Sequence, residues 1–127
     1  MQCPFCERLV RGEFVSENEL AAAFLDAFPL TAGHTLIVPR RHAPDLLRLT
    51  PDESTAIWGL LPSVCDVLEQ RFRPNAYNVG ANIGAAAGQT VDHAHLHLIP
   101  RYAGDVTDPR GGIRWIIPAR ARYWVER

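Results

Sequence analysis

No stretch of this chain approaches the roughly 20 consecutive apolar residues that a membrane-spanning helix needs, so a helical span is not expected. A surplus of charge is missing too: thirteen basic and fourteen acidic residues leave a formal net charge of −1. Bulk electrostatics therefore offers no grip on a phosphate backbone, and neither a membrane nor sequence-specific nucleic acid is expected as a partner. The local basic pairs, Arg40-Arg41 and Arg120 with Arg122, read as solvated surface. Cysteines are scarce and odd in number, three in all, which argues against a disulfide scaffold. The opening residues, Met1-Gln2-Cys3-Pro4-Phe5-Cys6-Glu7, lack a charged-then-apolar export pattern, and the cytoplasm is the expected compartment. With no repeat, low-complexity tract or linker, residues 1–127 read as one domain whose segment from about residue 105 forms a tail.

What is present is an alternation of strand and helix signals. Phe14-Val15 and Leu20 to Phe28 read as a hairpin turning through Ser16-Glu17-Asn18-Glu19. His34 to Val38 is a strand opened by Gly33 and closed by Pro39, and Pro44 to Leu47 a helical turn. Thr50-Pro51-Asp52-Glu53 then supplies a capping hydroxyl, a proline at the first helical position and an acid three residues after the cap. Ile57, Leu60, Leu61, Val64, Val67, Leu68 and Phe72 follow at helical spacing, predicting one long helix with a buried face. Pro62 lies inside it and predicts a kink costing about 3 kcal/mol; Pro74 ends it, and Cys65 reads as a small core residue. Tyr77 to Ile83, His93 to Ile99 and Ile113 to Ile117 read as further strands. The expected fold class is α+β, an antiparallel sheet with one long helix packed on it.

The chemistry concentrates in His93-Ala94-His95-Leu96-His97, which holds three of the five histidines. Strand alternation predicts all three on one face and Ala94, Leu96 and Leu98 on the other. Three rings on a regular strand span about 13 Å, too far to share one ion at about 2.0 Å from each nitrogen. One imidazole acting as nucleophile or base, with its neighbours positioning it, suits the spacing better. Upstream, Asn82 to Thr90 combines glycines and small residues with uncharged hydrogen-bonding side chains, a loop able to bring backbone N–H groups close to phosphate oxygens.

His93-Ala94-His95-Leu96-His97-Leu98-Ile99 resembles the His-φ-His-φ-His-φ-φ signature of the histidine triad superfamily of nucleotide hydrolases and transferases. Gly33-His34-Thr35-Leu36-Ile37-Val38-Pro39, Phe24-Leu25-Asp26, Tyr77-Asn78-Val79-Gly80 and Ala87-Gly88-Gln89-Thr90-Val91 extend the likeness from Cys3 to about Asp105. The resemblance implies that His95 attacks the α-phosphorus of a nucleoside phosphate, either a dinucleoside polyphosphate or a nucleoside phosphoramidate. A covalent nucleotidyl-histidine forms and water then releases it. It further implies that His97 contacts the phosphate, His93 buttresses the row, Gln89, Thr90 and Asn82 hydrogen-bond the substrate, and Asp26 holds the ribose. A purine nucleotide substrate, a homodimer and chemistry that requires no cofactor follow from the same likeness. Cys3 and Cys6, with His34 and His93, are the implied ligands of a structural zinc, whereas His42 reads as exposed surface. Asp92 departs from the family pattern but faces away from the histidines. The alternatives are a metal-dependent hydrolase built on two of the histidines and a nucleotide-binding module without turnover.

Overall fold

The computed structural model describes residues 2–125. It begins with a helix that the sequence reading had not anticipated, α1 (Pro4–Arg11). Its signals are nonetheless ordinary: Cys3 caps it by accepting the Cys6 N–H, Pro4 opens it, Glu7 lies in the first turn, Arg8 and Arg11 in the last, and Gly12 closes it in the left-handed region. The hairpin follows as β1 (Ser16–Glu17) and β2 (Ala21–Leu25), with Ser16 opposite Ala23. The turn sits later than expected because Asn18 builds it: Asn18 Oδ1 accepts the N–H groups of Leu20 and Ala21 at 3.1 and 2.8 Å.

Strand β3 (Thr35–Pro39) matches its expected position almost residue for residue. After it, Thr50 and Glu53 form the anticipated capping box at the head of α2 (Pro51–Gly59). The expected single helix is two. It breaks at Leu60, and Pro62 falls in the first turn of α3 (Leu61–Phe72), where a missing N–H breaks no helical hydrogen bond. Restarting the helix thus removes the cost that a mid-helix proline would carry. Arg73, at φ 52°, ends α3 in the left-handed region just before Pro74.

Strands β4 (Ala76–Gly80) and β5 (Leu96–Arg101) complete a five-stranded antiparallel sheet in the order β1-β2-β3-β5-β4. One face packs Ala21, Ala23, Ile37, Leu96 and Leu98 against Ile57, Leu60, Val64 and Leu68 of the helical region. The other carries Phe24, Leu36 and Val38 beneath Phe5 and Leu9 of α1 and Phe14. The sheet is therefore buried on both sides, which is why the Ala21-Ala22-Ala23 run shows no polar alternation. Leu68→Ala in this core is expected to cost about 2–5 kcal/mol.

Beyond the sheet, the expected strand at Ile113 to Ile117 is instead a short 3-10 helix, Gly112–Ile116. Gly111 and Gly112 both hold positive φ, which turns the chain where a strand would need it extended. A short helix, α4 (Pro118–Ala121), follows. Among the described residues no helix is long and apolar enough to cross a membrane.

The capping box is tied to the sheet by charge. Arg41 donates from Nε and Nη2 to the buried Glu53 carboxylate at 2.9 and 2.8 Å, while the Thr50 N–H donates to Oε1 at 2.9 Å. Arg41 first, and the Thr50 N–H second, hold the Glu53 pKa at about 2. A depressed carboxylate pKa stabilises the fold above the unfolded value, near 4.3, and that contribution is lost as the pH falls towards about 2. The urea midpoint of wild type should exceed that of Glu53→Gln at neutral pH, and the gap should narrow on acidification below about pH 4.3. Thr50→Ala should lower stability by about 1 kcal/mol at neutral pH in the same measurement.

Candidate active site

The three histidines do not form one rank. β5 begins only at Leu96, because the preceding backbone is drawn elsewhere: the Ala94 N–H donates to the Ala43 carbonyl at 2.7 Å. His93 is wholly buried and its ring turns away from solvent, Nε2 donating to the Pro39 carbonyl at 3.0 Å. His95 and His97 instead line a cavity of about 590 Å³ on the α1 side of the sheet. That volume lies within the range of small-molecule sites. Asp26, Asn82, Gly88 and Thr90 line it too, together with Phe5, Arg8, Phe24 and Leu36.

His95 is oriented by one short contact. Its Nδ1 lies 2.8 Å from the His93 carbonyl oxygen, and a carbonyl can only accept, so Nδ1 carries the proton and Nε2 keeps its lone pair. The ring is 7% exposed, held edge-on by Phe5 at 4.9 Å and by His97 at 5.1 Å between centroids. The result is a nitrogen with its lone pair available on a fixed, largely buried ring.

His97 receives its proton register from further away. The Leu30 N–H donates to His34 Nδ1 at 3.0 Å, which leaves the His34 proton on Nε2. His34 Nε2 lies 2.9 Å from His97 Nδ1 and donates to it, so His97 carries its own proton on Nε2. A backbone amide thus makes His97 a hydrogen-bond donor rather than an acceptor at its free nitrogen. Burial, then His95 and His34, bring the His97 pKa down to about 4, so the donor is neutral. Burial lowers the His34 pKa as well, against the opposing pull of Asp26, whose Oδ2 is 3.5 Å away. Asp26 Oδ1 accepts the Phe28 N–H at 2.9 Å, which fixes the carboxylate at the cavity wall.

Two of the expected assignments are redirected. Gln89 does not line the cavity. Its Oε1 accepts the Gly84 N–H at 2.9 Å and its Nε2 donates to the Pro44 and Val91 carbonyls at 2.7 and 2.9 Å. It staples the 84–91 loop, and no amide donor is left for a phosphate. Asn82 and Thr90, by contrast, line the cavity.

The second redirection concerns the cysteines. Cys3, Cys6 and His93 gather with His42, not with His34, whose two nitrogens are already committed to Leu30 and His97. His93 Nδ1 is 3.5 Å from Cys3 Sγ, 3.5 Å from Cys6 Sγ and 3.2 Å from His42 Nδ1, and Cys6 Sγ is 3.3 Å from His42 Nδ1. A tetrahedral cation at about 2.3 Å from sulfur and about 2.0 Å from nitrogen needs ligand atoms roughly 3.3–3.7 Å apart. The donor set fits zinc in identity and spacing. Burial and the neighbouring Cys3 thiol raise the Cys6 pKa in the absence of a cation.

His42 and the α1 residues Phe5 and Arg8 are the parts of the site that the sequence reading did not find. The helix signals around Cys3-Pro4 and Gly12 would have located α1. His42 has no comparable signal, since only the chain path out of β3 brings it to the cysteines.

Residues 8–104 match the family described as the HIT domain. The bis(5′-nucleosyl)-tetraphosphatase (asymmetrical) of Schizosaccharomyces pombe is 37% identical over 107 residues, 84% of this chain and 59% of that enzyme. An uncharacterised HIT-like protein of Mycoplasma genitalium is 42% identical over 104 residues, 79% of this chain and 73% of its own length. The crystal structure of a HIT family protein from Bacillus anthracis superposes with a TM-score of 0.71 at 41% identity, covering 80% of this chain and 74% of that one.

The tautomers are directly measurable. Ring nitrogen shifts of a 15N-labelled sample should show His95 protonated at Nδ1 and His97 at Nε2 at neutral pH, with His97 titrating near pH 4. His95 protonated at Nε2, or His97 charged at neutral pH, would contradict the hydrogen-bond chain.

Proposed function

The chain belongs to the HIT domain family, and we propose that it cleaves nucleoside phosphates at the α-phosphorus through a nucleotidyl intermediate on His95. The observation that carries this reading is the 2.8 Å contact between His95 Nδ1 and the His93 carbonyl, in a ring that lines the cavity. The His95 Nε2 lone pair attacks the α-phosphorus, a P–N bond forms, and the bond to the leaving group breaks. Positive charge developing on the ring is stabilised at Nδ1–H by the carbonyl, in a site shielded from water. The neutral His97 Nε2–H donates to an oxygen of the transferring phosphoryl group, with Thr90 and Asn82 at the same wall. Asp26 accepts from the ribose hydroxyls. In the second step water attacks the same phosphorus, the P–N bond breaks, and the lone pair returns to Nε2. The proton that water loses balances the one the leaving group gains. Dividing one displacement into two is how covalent catalysis lowers the barrier.

Purine nucleotides are the proposed substrates, as dinucleoside polyphosphates or phosphoramidates; the named tetraphosphatase among the relatives supports the first. A second copy of the chain is the proposed partner. Apolar side chains left exposed near the C-terminus, Ile113, Ile116 and Ile117, offer surface that a homodimer would cover. Zinc is proposed as a structural ion on Cys3, Cys6, His42 and His93. Four protein ligands complete its shell, so it would pin α1 to the sheet and supply no Lewis acid to the reaction.

Incubation with a labelled adenylyl or guanylyl phosphoramidate, quenched in base, should trap an acid-labile, base-stable adduct on His95. His95→Ala should lose the adduct and lower kcat by at least about 1,000-fold. Turnover retained in His95→Ala but abolished by chelation would favour the metal-dependent alternative, and nucleotide binding without turnover the non-catalytic one. For the zinc site, the expectation is about one zinc per chain by elemental analysis. Chelation should lower the melting temperature and open Cys3 and Cys6 to a thiol reagent; His42→Ala should weaken zinc retention, and His34→Ala should leave it intact.

A further inference from the structure

The cavity extends well beyond the histidines. Phe24 on β2 pairs with Leu36 on β3, and Leu36 pairs with His97 on β5, so these three residues form one row across the sheet. Neighbouring strands stand about 4.8 Å apart, which places Phe24 roughly 10 Å from His97. This is the reach of an extended nucleotide from its 5′-phosphate to its base. With phosphate at His95 and His97, and ribose at Asp26, the base falls beside Phe5, Phe24 and Leu36, an apolar end of the cavity where the two aromatic rings pack on each other at 5.7 Å between centroids.

Two arginines of α1 line the cavity, and Arg11 is ion-paired with Glu13 at 3.3 Å, which leaves Arg8 as the cation free to meet a ligand. The Arg8 guanidinium lies over the Phe24 ring, its carbon 4.4 Å from the ring centroid. Among the described residues no hydrogen bond or ion pair engages it. A cation–π contact of this kind holds the group over the ring while leaving its five N–H donors, all in the guanidinium plane, available to a ligand. A flat fork of donors matches a flat edge bearing two adjacent acceptors. Guanine offers one at O6 and N7, whereas adenine presents an N7 acceptor beside an amino donor. Asp26 lines the same cavity as Arg8.

We propose that Arg8 is the base-specificity residue, donating to O6 and N7 of guanine, so that guanylyl compounds are the preferred substrates. The inference rests on the nucleotide reading above and adds to it the identity of the base. Arg8 is not placed among the reacting atoms; it acts by choosing what is held there.

Equilibrium binding of guanosine, inosine and adenosine 5′-monophosphates tests this by calorimetry on the full chain. Inosine keeps O6 and N7 and lacks the 2-amino group, so it isolates the edge in question. Wild type should bind the guanosine and inosine nucleotides about tenfold or more tightly than the adenosine nucleotide. In Arg8→Leu that ratio should fall to about one, and in Arg8→Lys, which keeps the charge without the fork, most of it should be lost. Equal or tighter adenosine binding by wild type, or a ratio that survives in Arg8→Leu, would overturn the proposal. The wild-type comparison stands even if a variant misfolds. A separate outcome concerns the reading beneath: if none of the three nucleotides binds and no His95 adduct forms, the nucleotide assignment itself fails, and this inference with it. Adduct formation from adenylyl and guanylyl substrates alike, without discrimination, would remove the Arg8 proposal and leave the His95 reading standing.

Discussion

A single carbonyl, that of His93, carries the orientation of His95, the proposed nucleophile. It accepts the His95 Nδ1 proton, and the residue that provides it is among the most firmly held in the chain. The His93 ring is wholly buried, donates to the Pro39 carbonyl at the end of β3, and meets Cys3, Cys6 and His42 on its other nitrogen. Core packing, the end of a central strand and the cysteine cluster therefore converge on one peptide group. Moving that group would disturb the ring it aims. A displacement of about an ångström in a near-attack geometry costs orders of magnitude in rate, which gives a physical reason to spend a buried, fully partnered histidine on support.

The same economy of parts joins α1 to the cavity. Phe5 lies between the two cysteines in sequence and packs edge-on against both His93 and His95. One turn of helix thus carries the two cysteines of the cluster and a wall of the pocket, and Arg8 follows on the next turn. His34 does analogous work on the far side, passing the register of the Leu30 amide to His97 while standing near Asp26. Each of these supports is a second residue acting through a first.

The strands with clear alternation and the capping box at Thr50 were legible from residue order alone, because local patterns dictate them. His95, His97, Asp26, Asn82 and Thr90 were legible as a set through the family signature, and they share one cavity. What escaped had non-local causes. His34 and His42 both flank β3, and nothing in their immediate neighbours says which meets the cysteines; the path of the chain decides. Gln89 has the chemistry of a phosphate ligand, but three backbone groups claim it first. Pro62 broke a helix instead of bending it because Leu60 could take up the turn. Helix α1 was overlooked for another reason: eight residues with a cysteine cap give a weaker signal than the motif they surround.

The most direct measurement of the central claim is the stereochemical course at phosphorus. A substrate made chiral at the α-phosphorus by isotopic or sulfur substitution should be hydrolysed in labelled water with retention of configuration. Two successive in-line displacements, onto His95 and then onto water, each invert the centre. Net inversion would mean that water attacks the substrate directly, and it would contradict a covalent role for His95.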